Sequence, residues 1–240
     1  MLPRVLEPEV MDTPEEARDY DSMDHRAVNR LFVDHLLQAT ALAGLSAPTL
    51  RTLDVGTGTA QIPIELCGRG AALRSEWQVT AIDLAREMLA LGNANVAAAG
   101  LSCFITLELA DAKGLSYADS SFDVVMSNSI IHHIPRPLDC LREMVRVTRS
   151  GGLLFVRDLM RPPDLETLHR LVKTYAGDAN AHQQKMFGES LHAALTLDEI
   201  RGVVQQLGLD PACAVASSDR HWTIAARTGQ SAFPSLFPIR

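Results

Sequence analysis

The chain has 240 residues, 47% of them hydrophobic and 21% charged, a globular composition that excludes a disordered or collagen-like polymer. A formal net charge of −7 argues against nucleic-acid binding driven by charge. No apolar run approaches about 18 residues, so no integral membrane segment is expected, and the acidic, proline-interrupted start MLPRVLEPEVMDTPEEARDY does not read as a secretory signal.

In chain order, Asp12 or Thr13 is placed to cap a short helix with Pro14, Glu15 and Glu16 in its first turn. Over about 24–43, Val28, Leu31, Phe32, His35, Leu36 and Ala39 recur at helical spacing. Residues 50–55 then form a short apolar run that ends in glycines and predicts a buried strand. The alternation continues with a helix at 60–67, a strand at 79–82 and a helix at 85–99 ended by Gly100. Strands are expected at 104–109 and 122–127. Pro137 starts a helix to about 148, and Gly151-Gly152 turns it into a strand at 153–156. Such alternation calls for a parallel sheet covered on both faces.

After Pro162-Pro163 the pattern changes to helices at 165–175 and 183–191 around a polar loop at 177–181. Thr196 and Glu199 have capping-box spacing. Short strands at 211–216 and 222–226 are close enough for an antiparallel hairpin at the end of the sheet. The expected organisation is an N-terminal helical lid over 1–45, a main domain over 46–230 with a helical substrate cover at 164–195, and an apolar tail at 231–240. Cys67, Cys103, Cys140 and Cys213 are widely spaced with no CxxC, so neither a disulfide framework nor a zinc site is expected, and a cytoplasmic protein is.

The segment RTLDVGTGTAQIPIEL carries the most chemistry. A buried strand runs into Gly56-Thr57-Gly58-Thr59-Ala60 and a helix starts at once, so a ligand can approach the main chain and the free N–H groups behind it. Asp83 ends the next strand, where a carboxylate can accept from both hydroxyls of a ribose. It fits a simple helix N-cap as well. Asp54 ends the first strand, a position that dinucleotide folds keep apolar because a pyrophosphate is negative. A carboxylate there suits a ligand with a positive end, or caps the turn with no ligand at all.

In order, LDVGTGT, AID, ADAKGL, FDVVMSNSIIHHI and RVTRSGGLLFV resemble the motif set of the class I S-adenosylmethionine-dependent methyltransferases. The resemblance implies an α/β fold with a Rossmann-like, seven-stranded, mostly parallel sheet, helices on both faces and a C-terminal antiparallel hairpin. It also implies S-adenosylmethionine as cofactor. Gly56, Thr57 and Gly58 would pass under its methionine portion, with Asp54 near the amino group and Asp83 on the ribose. Leu84 and Met88 would flank the adenine, Asp111 and Ala112 would meet its edge, and Asn128 would face the sulfonium end. The family's third turn glycine is Ala60 here, tolerable if that position has helical torsions. ARDYDSMDHRAVNRLFVDHLL is similar to the stretch preceding the core in small-molecule types such as quinone C-methyltransferases, where Tyr20 would touch the cofactor carboxylate.

His132 and His133 follow the fourth strand, where ligands of open α/β sheets sit. His133 is a candidate to take a substrate proton, or lines the pocket without proton transfer. The pair has no third metal ligand at useful sequence spacing, so no metal is expected. Asp158, after the fifth strand, is the second catalytic candidate. Asn-Ser-Ile-Ile after the fourth strand lacks the Asn-Pro-Pro-Tyr pattern of exocyclic-amine methylation, which leaves an apolar phenol or quinol-like small molecule as the expected acceptor. A monomer or homodimer is expected. The competing readings are an NAD-dependent oxidoreductase, which Asp54 disfavours, and a non-catalytic module that binds S-adenosylmethionine.

Overall fold

The apolar runs around 50–55, 122–127 and 153–156 become buried strands. The structure is a computed structural model, and it describes residues 2–8, 10, 12–69 and 75–229; the tail expected at 231–240 lies outside them. Helices α1 (Pro14–Ser22) and α2 (Arg26–Leu42) precede the alternating β1 (Thr49–Val55), α3 (Gln61–Gly68), β2 (Glu76–Asp83), α4 (Arg86–Ala98), β3 (Ile105–Leu109), β4 (Phe122–Asn128), α5 (Pro137–Val147) and β5 (Thr148–Leu159). Then follow α6 (Leu165–Ala176), α7 (Ala181–Ala193), α8 (Leu197–Gln206), β6 (Ala214–Ala216) and β7 (His221–Arg227).

The seven strands lie in the order β3-β2-β1-β4-β5-β7-β6. β1 to β5 pair in parallel, whereas β7 runs antiparallel to both β5 and β6. Side chains alternate between two cores. Leu53, Val55, Val125, Leu154 and Val156 face α5 and α8, while Val124, Met126, Leu153 and Phe155 face the layer of α2 and α3. Burying each such side chain contributes roughly 1.5–3 kcal/mol. The order reverses between β1 and β4, which opens a crevice at the carboxyl ends of these strands.

Local chemistry sets the boundaries. Thr13 and Glu16 form a complete capping box ahead of α1, with Pro14 at its first position, and Thr196 with Glu199 does the same for α8. Three departures from the sequence reading have a local cause. β5 begins at Thr148 rather than 153, because Gly151, at φ +75°, and Gly152 bend the chain within the strand instead of before it; a Cβ at Gly152 would lie 2.8 Å from Asp123 O. Pro211–Cys213 is a single 3-10 turn, capped by Asp210, and only Ala214–Ala216 is strand. Ala60 has φ 64° and ψ 21°, left-handed rather than helical. Its methyl therefore sits in a conformation that glycine adopts freely, at roughly 1–2 kcal/mol.

Of the stretch expected as a lid, α2 belongs to the core. Phe32, Val33, Leu36 and Ala39 are buried, and the Phe32 ring meets Phe155 edge-on at 5.2 Å. Only α1 and the strap before it lie over the crevice. α6 and α7 pack through Leu168, Leu171 and Leu191 with Leu159 and, from the strap, Leu2.

Candidate functional site

The crevice at the strand reversal is an open cleft lined by residues from the turns after β1, β2 and β4 and from the N-terminal segment. Its floor is the turn after β1. Gly56 and Gly58 both have positive φ, and a Cβ on Gly56 would fall 2.1 Å from Ile130 Cγ2, so no other residue fits there. Asp83 ties this turn to α4: Oδ2 accepts from Gly58 N at 2.8 Å and Oδ1 from Ala85 N at 2.9 Å. The cap reading of Asp83 is thus realised, and the carboxylate keeps lone pairs toward the cleft it lines. Burial raises its pKa, against the pull of those N–H groups.

Asp54 lies beneath the turn, 2% exposed, and its Oδ2 has no hydrogen-bond partner among the described residues. Burial pushes the carboxyl up to about 7, with the Thr57 hydroxyl pulling against it and the nearby charge of Asp83 adding to the rise. A buried acceptor left unmatched costs about 1–3 kcal/mol, so a cationic donor bound above the turn fits this position. Tyr20, from α1, covers Gly58, with Cε1 3.5 Å from where a Cβ would stand. Its hydroxyl is pushed up to about 12, mainly by burial and further by Asp83 and Asp54, so it remains a donor. At Asp111 burial acts upward, but the Lys113 backbone N–H at 2.9 Å and ammonium at 3.0 Å outweigh it and hold the carboxylate low.

The cleft brings together Tyr20, Gly56, Gly58, Asp83, Leu84, Met88, Asp111, Ala112, Asn128 and His133. Asp54 and Thr57 sit in or under the turn without lining it. Asp158 does not open onto the cleft. It is fully buried, and its two oxygens accept from Ile131 N, His132 N, His132 Nδ1 and Leu159 N. It holds the 131–133 turn in place and has no lone pair left for a substrate proton. The expected cover at 164–195 also contributes no lining residue.

Its place is taken by the strap, residues 2–8 and 10, which has no sequence signature. Leu2 N donates to Pro163 O and Val5 N to His192 O. Arg4 donates to Ala193 O at 2.7 Å, His132 O at 3.1 Å and Ile134 O at 3.0 Å. Val10 then forms part of the cleft wall with Ile130 and Ile134. His133 Nδ1 lies 3.2 Å from Pro8 O, and a carbonyl can only accept, so this nitrogen carries the ring proton and Nε2 keeps its lone pair. Burial, with the charge on His132, lowers the His133 pKa to about 4, so the ring is neutral. Ser129, at φ 60°, is a non-glycine held in the left-handed region beside the cleft, a strain found at working sites.

A switch-point cleft with a glycine turn below, an acid at the end of β2 and an unmatched carboxylate under the turn is an arrangement that suits a nucleoside carrying a cationic end. Comparison with known proteins agrees. Residues 53–156 match the family model described as a methyltransferase domain. The 27-O-demethylrifamycin SV methyltransferase of Amycolatopsis mediterranei is 31% identical over 180 residues, 73% of this chain and 61% of that protein. A demethylmenaquinone methyltransferase of Porphyromonas gingivalis is 36% identical over 110 residues, 46% of this chain and 44% of that protein. The fold is shared with an S-adenosylmethionine-dependent methyltransferase from Aquifex aeolicus at a TM-score of 0.60 and 16% identity, over 91% of this chain and 100% of that one. Over residues 53–156 the chain thus resembles the methyltransferase domain family, and its fold is that of S-adenosylmethionine-dependent methyltransferases. It spans about half to three-fifths of the length of the first curated relatives it matches.

Proposed function

We propose that the protein transfers a methyl group from S-adenosylmethionine to an apolar small molecule carrying a phenol or quinol-type hydroxyl. The observation that carries this reading is the buried, unmatched Asp54 carboxylate beneath the Gly56–Gly58 turn. A nicotinamide dinucleotide would bring a pyrophosphate to that place, whereas the cofactor's ammonium supplies the missing cationic donor. Asp83 is set to hold the ribose, Leu84 and Met88 to flank the base, Asp111 and Ala112 to meet its polar edge, and Tyr20 to donate to the carboxylate end. Asn128 closes the side toward the acceptor.

The bound cofactor would supply a methyl group already activated by a positive sulfur. What remains for the chain is to hold the acceptor atom in line with it and exclude water. Such positioning is worth up to roughly 7–11 kcal/mol. The wall of Val10, Ile130 and Ile134 suits an apolar ring, and His133 Nε2 is the lone pair available to take its hydroxyl proton. A relative named for 27-O-demethylrifamycin supports an oxygen acceptor, and relatives named as ubiquinone/menaquinone biosynthesis C-methyltransferases support a quinol methylated on carbon.

Parallel calorimetric titrations with S-adenosylmethionine, S-adenosylhomocysteine and NADH test the cofactor, followed by turnover with phenol and quinol acceptors. Micromolar binding of both sulfur ligands and methylation of one acceptor class are expected. Binding of NADH alone would overturn the reading; tight binding without turnover on any acceptor would make the protein a ligand-sensing module.

A further inference from the structure

Beside the cleft, the strap brings a third group to the histidine pair. Glu7 Oε1 lies 3.3 Å from His132 Nε2 and 3.2 Å from His133 Nδ1, yet it makes no hydrogen bond with any described residue. The side chains of Glu7 and His132 are only 13% and 4% exposed, so water does not readily take that role. The partners of each group leave the corner electron-rich. His132 Nδ1 is 2.5 Å from Asp158 Oδ1, which puts the proton of a neutral ring on Nδ1 and turns the Nε2 lone pair to Glu7. Glu7 Oε2 already accepts from Ser190 Oγ at 3.2 Å. Against the effect of burial, the two carboxylates that flank the His132 ring raise its pKa, and this electron-rich corner calls for a cation at Nε2, a proton or a metal ion in its place.

We propose that Glu7, His132 and His133 form a site for a divalent transition metal of the zinc type, which fastens the N-terminal strap over the cleft. Two imidazoles and one carboxylate are a known zinc ligand set. Bonds of about 2.0–2.1 Å in a tetrahedron separate ligand atoms by about 3.3 Å, close to the two spacings here. The outer partners are also of the right kind, Asp158 behind His132 and Ser190 behind Glu7, each fixing the orientation of a ligand. Pro8 O sits at the same corner, 3.2 Å from His133 Nδ1, and accepts the ring proton when no metal is bound. With a metal on Nδ1 that proton moves to Nε2, so His133 no longer offers a lone pair to the cleft. The site is thus a closing brake and not a catalytic centre. The metal site itself is independent of the methyl-transfer reading.

The test is zinc competition against a chromogenic chelator, using the untagged full chain in a Cys103→Ser background, because that thiol is exposed. Glu7→Ala and His133→Gln are measured beside it, with trypsin cleavage of the strap as a second readout. One zinc per chain is expected, with affinity lowered in each variant by more than the roughly 10–100-fold that losing an outer partner costs. Zinc should also slow cleavage after Arg4 in the parent and not in Glu7→Ala. Equal zinc affinity in parent and Glu7→Ala would place the metal elsewhere and overturn the proposal. Absence of stoichiometric binding to the parent would overturn it too, leaving a proton as the cation between the two groups.

Discussion

Replacing Asp54 by asparagine separates a ligand-binding carboxylate from one that serves the turn. The side chain keeps its shape and loses its charge. In the folded protein the carboxyl holds its proton up to about 7, against an ordinary value of 3.8. Its pKa is raised on folding, so its contribution to stability is complete below pH 3.8 and is lost as pH rises to 7. At about 1.36 kcal/mol per pH unit, that interval amounts to roughly 4 kcal/mol against the ligand-free fold at pH 8.5. Asp54→Asn should therefore melt higher than the parent at pH 8.5, by several degrees, and by little more than a third of that margin at pH 5, followed by calorimetry without ligand. Its affinity for S-adenosylmethionine should fall by about 1.5–3 kcal/mol, roughly 10- to 150-fold. In the parent, that affinity should climb with pH up to about 7 and then level. A variant destabilised equally at both pH values, with cofactor affinity intact, would refute the reasoning and leave Asp54 as a brace of the turn.

Asp83→Ala removes the acceptor of two backbone N–H groups as well as the ribose partner, and should weaken cofactor binding by about 1.5–3 kcal/mol by titration. Asp83→Asn keeps one acceptor and should fall between. Gly56→Ala should abolish cofactor binding and lower the melting temperature, since the new methyl meets Ile130 and φ is +76°. Adding Ile130→Ala should recover the space but not the backbone strain, so only part of the stability returns. Arg4→Ala loses four carbonyl contacts of the strap, and trypsin should then cut at Arg18 severalfold faster, by about tenfold or less, while the melting temperature of the sheet changes little.

What could be read from the sequence is what depends on local periodicity. β1, β2 and β4 are apolar runs with clear ends, and Gly56, Gly58 and Asp83 stand at turns whose chemistry is contained within a few residues. The strap could not be read in this way. Arg4 reaches Ala193, 189 positions away, and the stretch has neither periodicity nor a capping pattern. Glu7 was invisible as a partner of His132 for the same reason. Asp158 was misplaced because a carboxylate at the end of a strand looks the same whether it faces the cleft or turns under the next loop. Only the position of the Ile131 and His132 N–H groups decides between them. Ala60 shows the converse limit, since an alanine gives no sign of a left-handed torsion.

The placement of β7 between β5 and β6 has a consequence for synthesis. The five parallel strands and their glycine turn are complete once residue 159 has emerged, yet β5 then presents an open edge, and the partner for residues 153–159 is the last strand of the sheet. Until Trp222 arrives to bury itself against that face, the nascent domain carries a long, apolar, unpaired border. Chains arrested before about residue 221 should consequently be sticky intermediates held by chaperones, and their release should coincide with the final strand sliding into the gap.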